Sequence, residues 1–268
     1  MIKELSMCFA MILVTFPSLS GSHGSSATGQ AAPIEEELLE QDPKQAHAQT
    51  MEAMRVKAAA DHFVRRFHAT LDFRTVFEEM FVSDAGQRLR KSNFFEGLNI
   101  KDELVTRLDD SRLRGIYEGF MNLYYLRMIY DFGQPLSQDP KSSDSHLPLE
   151  IISAIKSSPF KELLSDPVTT DSPVIGEETQ LTSFMKDLKR VADLYRKHLP
   201  RQVFNSRNYK ANVRELNYTR KVGFQIKNGF PELGVPDNTK VYVYEKDIFI
   251  MVFLEEGGQL KILTLIPD

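Results

Sequence analysis

From Ile248 to Leu254 the chain reads Ile-Phe-Ile-Met-Val-Phe-Leu, seven apolar residues with no polar side to turn to water. Side chains of a strand alternate between the two faces of its sheet, so this strand needs cover on both. The fold must therefore bury a sheet between other elements or against a partner subunit. Lys240 to Glu245 and Leu260 to Ile266 flank it, and Glu256-Gly257-Gly258-Gln259 supplies the glycines of a tight hairpin. Val222, Phe224 and Ile226 alternate in the same way and predict one more strand, followed by a Gly/Pro-rich crossing from Asn228 to Asn238.

Upstream the apolar period is that of a helix. A long helix is expected over Gln45 to Leu71, with Ala60, Val64, Phe67 and Leu71 as its stripe. Asp72 reads as the cap of a second helix that turns Phe73, Val76, Phe77 and Met80 inward, with Leu71 and Val76 at the staple positions. Ser83-Asp84-Ala85-Gly86 reads as its end. Ser111 to Phe132 is apolar on most sides, which places that helix centrally, while Glu118, Arg127 and Asp131 weigh against a membrane span. Leu149 to Lys156 and Pro159 to Leu164 are short helices, the second capped by Ser158. Thr179 to Leu199 forms a last helix, stopped by Pro200. Leu181, Phe184, Leu188, Val191 and Tyr195 face inward; Lys186, Lys189, Arg190, Asp193, Arg196 and Lys197 lie opposite. Helices first and an antiparallel meander last is the order of an α+β fold: an N-terminal helical region, then a C-terminal β-meander packed against helices.

The chain divides into five stretches. Residues 1–22 resemble an export signal: Lys3 and the amino terminus, a run from Leu5 to Phe16 broken only by Ser6 and Thr15, then small residues. Ser18-Leu19-Ser20 and Ser20-Gly21-Ser22 are the candidate cleavage sites, and Glu4 offsets Lys3. The run falls short of the roughly 20 apolar residues that cross a bilayer. Residues 23–43 are a flexible leader, Gly/Ser-rich to Pro33 and acidic from Glu35 to Asp42. Residues 44–132 are the helical region, 133–178 a loop-rich connector with short helices, and 179–268 a helix plus the sheet. The expected location is periplasmic or extracellular. Cys8 is the single cysteine and lies inside the signal, so the exported chain would contain no disulfide or reactive thiol. The apolar run follows Cys8 instead of preceding it, which argues against lipidation.

No catalytic signature stands out. His62 and His68 are six residues apart, on roughly opposite sides of a helix, and no zinc-binding spacing is present. Glu78-Glu79, Asp109-Asp110 and Glu255-Glu256 are adjacent in sequence, so helical members diverge and the last pair flanks a turn. There is neither a nucleophile elbow nor a phosphate-cradling glycine loop. The expectation is no metal, no cofactor and, on balance, no enzyme.

Charge is distributed unevenly. Between Leu181 and Lys221 eleven Lys and Arg face only Asp187, Asp193 and Glu215, a local +8; the chain totals −4, so the rest carries −12. Arginines and lysines there interleave with Tyr195, Phe204, Tyr209 and Tyr218, a mixture that can hold anions. Arg201, Arg207, Lys210 and Arg214 are the candidate ligand-binding residues, on a loop expected after Pro200. The structural alternative is that these cations pair with the chain's own carboxylates. Asn217-Tyr218-Thr219 fits a glycosylation acceptor, relevant only in a eukaryotic secretory route. The expected function is thus an exported, non-catalytic α+β binding or interaction protein engaging an anionic ligand through this basic loop. The partners in view are an anionic glycan, a lipid head group or an envelope polymer sooner than nucleic acid, with a second copy of the chain as a further one. The alternative is an exported hydrolase with dispersed catalytic residues in a helix–sheet pocket.

Overall fold

The computed structural model describes residues 43–133, 147–165, 173–202, 222–226, 233–236, 239–246 and 249–267. The export signal, nearly all of the acidic leader and parts of the connector lie outside them. Nine helices precede four strands among the described residues, which is the expected α+β arrangement.

Helix α1 (Pro43–Thr70) buries Val56, Ala60, Phe63 and Phe67. The stripe is therefore turned from the expected one. Phe63 and Val56 share the 3.6-residue period of Ala60 and Phe67, whereas Val64 sits at the edge of that face and is only partly buried. Leu71 lies past the helix end with φ 49°, a left-handed conformation costly to a branched residue. It is held there by burial and by Arg196 Nε, which donates to its carbonyl at 3.0 Å. Helix α2 (Phe73–Met80) starts as expected: the Asp72 carboxylate accepts the Arg74 N–H at 3.1 Å. Phe73 then sits among the rings of Phe63, Phe67, Phe77, Phe81, Tyr117 and Tyr125.

Ala85 and Gly86 do not end an element; they open helix α3 (Ala85–Arg90). The glycine serves close packing, since a Cβ on Gly86 would come within 2.6 Å of Asp110 Cβ. Two single-turn helices, α4 (Phe94–Gly97) and α5 (Asp102–Val105), follow with Phe94, Phe95, Leu104 and Val105 buried. Helix α6 (Asp110–Gly133) is central as its composition demanded, packing against α2, α3 and the last helix.

Helix α7 (Leu149–Lys156) packs on α9 (Glu178–Gln202) and is followed by α8 (Lys161–Ser165), with a polar knot at their junction tying the pair to α9. Ser158 Oγ accepts the Phe160 N–H at 3.1 Å, the expected cap, and donates to Asp187 at 2.7 Å. Asp187 also pairs with Arg190 at 2.9 Å. Pro200 does not stop α9, which continues to Gln202. A proline this close to a C-terminus gives up one backbone bond, too little to end the helix a turn early. Among the described residues no helix is long and apolar enough to cross a membrane.

Strands β1 (Val222–Ile226), β2 (Lys240–Lys246), β3 (Phe249–Glu256) and β4 (Gln259–Pro267) form one antiparallel sheet in chain order. Gly257 and Gly258 turn the β3–β4 hairpin with φ 58° and 76°, the paired positive values of a type I′ turn. Both faces are sealed, as the composition of β3 required. Tyr242 pairs with Phe253 and Tyr244 with Met251 on one face; Val243 pairs with Val252 on the other, and all six are buried. A bulge opposite Val252 and Phe253 gives β4 one extra residue, Leu263, so Ile262 and Leu263 are buried in succession.

The free edge of β4 is not left bare. Val82 N–H donates to the Ile262 carbonyl at 3.0 Å, and Leu265 N–H donates to the Tyr117 hydroxyl at 3.3 Å. Burial pushes the Tyr117 phenol up to about 12, so it serves as a neutral strut between α6 and the sheet. At the other end Arg55 of α1 pairs with Glu255 at 3.2 Å and donates to the Gly258 carbonyl at 3.1 Å.

Candidate functional site

A groove of about 570 Å³ opens between α6 and α9, closed at one end by the start of α2. That volume suits a small organic ligand. On α6, Gly115, Glu118, Gly119 and Asn122 line it at spacings of three, one and three residues, one side of a helix that is otherwise largely apolar. Gly115 faces open space, and Gly119 lets Met185 of α9 approach, its Cε lying 3.1 Å from where a Cβ would stand. Leu181, Met185 and Ala192 of α9 continue this apolar floor.

Charge is concentrated around the floor. Arg74, Arg112, Lys186 and Lys189 line the groove together with Asp72 and Glu118. Arg112 pairs with Glu178, and Arg74 reaches Glu78 at 3.4 Å, both at the exposed rim. Glu118 is partly buried in the floor. It has no hydrogen-bond donor and no ion-pair partner among the described residues. Burial pushes its carboxyl up to about 7; Arg74 and Arg114 oppose the rise, and Glu78 and Asp72 add to it.

The basic segment resolves into two groups. Arg190 pairs with Asp187, Arg196 with Asp193, and Lys197 with Glu150 at 2.9 Å. These three follow the structural alternative, with the chain neutralising its own cations. Lys186 and Lys189 are exposed, have no ion-pair partner among the described residues, and both face the groove. Arg201, expected on a loop, belongs to the last turn of α9, where only the backbone is described. Arg207, Lys210 and Arg214 lie outside the described residues, as does Asn217.

Each adjacent carboxylate pair separates. Glu79 takes Arg66 in a bidentate bridge at 2.6 and 2.9 Å, while Glu78 takes Arg74. Asp109 accepts the Arg112 N–H at 2.8 Å and Asp110 pairs with Arg90 at 3.3 Å. Glu255 holds Arg55, and Glu256 accepts from the Ser83 hydroxyl at 2.6 Å. His198 Nε2 lies 3.4 Å from Glu150. Among the described residues no three His, Cys, Asp or Glu gather as a metal site.

Sequence reasoning passed over Glu118, Gly115, Gly119 and Asn122 because α6 reads as a core helix. Their spacing gave a partial signal: two glycines, a carboxylate and an amide share one stripe of an apolar helix, although only the packing of α9 beside it shapes that stripe into a groove. The chain matches no protein family, no curated protein and no solved structure.

Proposed function

We propose that this is an exported, non-catalytic binding protein whose groove between α6 and α9 takes a small anion with an apolar body. The carrying observation is that Lys186 and Lys189, alone among the described cations of the basic segment, have no ion-pair partner and stand over an apolar floor. Arg74 and Arg112 complete a cationic rim. Such a rim recognises a charged head while Leu181, Met185 and Ala192 desolvate a tail, the usual division of labour in ligand pockets. Among the described residues of the lining, Thr182 carries the only hydroxyl and none carries an imidazole or thiol, which favours charge recognition over acyl transfer. Arg201, Arg207, Lys210 and Arg214 continue the positive run in sequence.

Calorimetric titration with decyl sulfate tests this. One molecule is expected to bind per chain, with decanol binding far more weakly. The double variant Lys186→Glu with Lys189→Glu is expected to weaken binding at least about a hundredfold, since each of the two lost charge-assisted contacts is worth about 1.5–3 kcal/mol. Its melting temperature should stay near that of the wild type, because neither lysine pairs within the fold. Unchanged affinity in that variant would overturn the proposal.

Export rests on the apolar run Leu5 to Phe16 and the small residues after it. Expression of the full chain with N-terminal sequencing is expected to recover it outside the cytoplasm, beginning just after Ser20 or Ser22. A cytoplasmic product that keeps Met1 to Ser20 rules export out.

A further inference from the structure

Glu118 is an oddity within the groove. A carboxylate ringed by cations normally captures one of them, yet every cation near Glu118 leaves it unpaired. From α6 itself, Arg114 turns back to the Asp110 carbonyl and Arg112 is taken by Glu178. From α2 and its cap come Arg74, Glu78 and Asp72, with Arg74 committed to Glu78. From α9 come Lys186 and Lys189, which reach the rim and not the floor carboxyl. The floor thus holds a single acid, half removed from water, where the proposed ligand's negative head would have to pass or rest.

We propose that Glu118 couples occupancy of the groove to proton uptake, so that the groove loads an anion when Glu118 is neutral and releases it when Glu118 ionises. This rests on the groove being an anion site, as proposed above. Ionised, the carboxylate offsets part of the positive rim and repels the ligand's head across a partly dry floor. Protonated, it becomes a hydrogen-bond donor that the head can accept, and the rim acts at full strength. A carboxyl already lifted to about 7 by burial is mostly neutral at pH 6 and mostly ionised at pH 8, so the switch falls in a physiological range. A bound anion lifts it further, and the proton needed for that comes from solvent. The ligand class is accordingly narrowed to anions that accept hydrogen bonds from an acid, such as sulfates, phosphates and carboxylates.

Decyl sulfate is the probe, because its own charge does not titrate across this range. If only the neutral form of Glu118 binds well, affinity should be about tenfold weaker at pH 8 than at pH 6, the ratio of the competent fractions. Calorimetry at pH 7.5 in buffers of different ionisation enthalpy should show uptake of about half a proton or more per ligand. In Glu118→Gln, which keeps a hydrogen-bonding group and cannot titrate, the pH dependence and the proton uptake should both vanish. Wild-type affinity that does not change between pH 6 and pH 8, or a Glu118→Gln variant that keeps the full pH dependence, overturns the inference while leaving the groove proposal standing. Absence of binding at both pH values overturns both. Since the buffer experiment is done on the wild-type protein, a Glu118→Gln variant that fails to fold does not spare the inference.

Discussion

Phe253→Asp leaves no cooperatively folded protein at 25 °C. Phe253 has no exposed surface and pairs with Tyr242 on one side and Ile262 on the other. The substitution removes a ring whose loss costs about 3–5 kcal/mol and leaves an unpaired carboxylate in its place, at several kcal/mol more. A domain is typically stable by only about 5–15 kcal/mol, so the sum consumes most or all of it. Val252→Asp makes the same test of the opposite face, where Val252 is 2% exposed. Ile250 is the neighbour whose spacing also reports on that face, but it is only partly buried, and Ile250→Asp should be the mildest of the three. Thermal melts followed by circular dichroism distinguish them. A near-native melt for Phe253→Asp or Val252→Asp would mean that the corresponding face is open to water.

Phe73→Ala is expected to cost about 3–5 kcal/mol, the range for emptying a large buried aromatic site. Phe73 is fully buried, with ring centroids of Phe81 and Tyr125 both 5.8 Å away and Phe77 at 6.0 Å. Through those rings and the rings of Phe63 and Phe67 it joins α1, α2 and α6 at a single point. Chemical denaturation should show a lower midpoint with an unchanged slope, the mark of lost stability without a changed unfolded state. A loss below about 1 kcal/mol would mean that the cluster collapses to fill the space. The effect should reach the groove as well. Asn122 accepts the Phe73 N–H at 3.4 Å, and Asp72 and Arg74, on either side of Phe73, line the groove. Loosening the start of α2 should therefore weaken decyl sulfate binding more than a surface change of equal cost.

Glu118 carries a stability signature of its own. Its folded carboxyl titrates near 7, above its ordinary range, so the folded chain holds the proton more tightly than the unfolded chain does. That contribution favours folding at low pH and is lost as pH rises toward and through 7. It runs opposite to the paired carboxylates Glu79, Glu150 and Glu255, whose cationic partners hold them below their ordinary range and stabilise the fold above it.

Much of the fold is legible in the sequence. The double-sided strand around Val252, the Gly257-Gly258 hairpin, the Asp72 and Ser158 caps and the inward face of α9 each follow from a rule that acts over a few residues. Where the sequence reading went astray, the deciding contact came from far along the chain. Val64 lost its place to Phe63 because the core lies a fraction of a turn away. Gly86 packs against Asp110 instead of ending a helix, and Pro200 ends nothing because α9 closes a turn later.

What the sequence determined by itself is therefore the set of elements, their order and the need for a sheet covered on both faces. Periodicity, caps and turn chemistry are local, and burial of an all-apolar strand admits no other solution. What only the tertiary structure decided is which of the chain's charges are spoken for. Lys186 and Lys189 look no different in sequence from Arg190, Arg196 and Lys197. Glu118 likewise looks like any polar residue on a core helix. Whether a charge meets a partner depends on which residues α2, α6, α7 and α9 bring within a few ångströms of it. That proximity is a property of packing, which no spacing along a single helix can state.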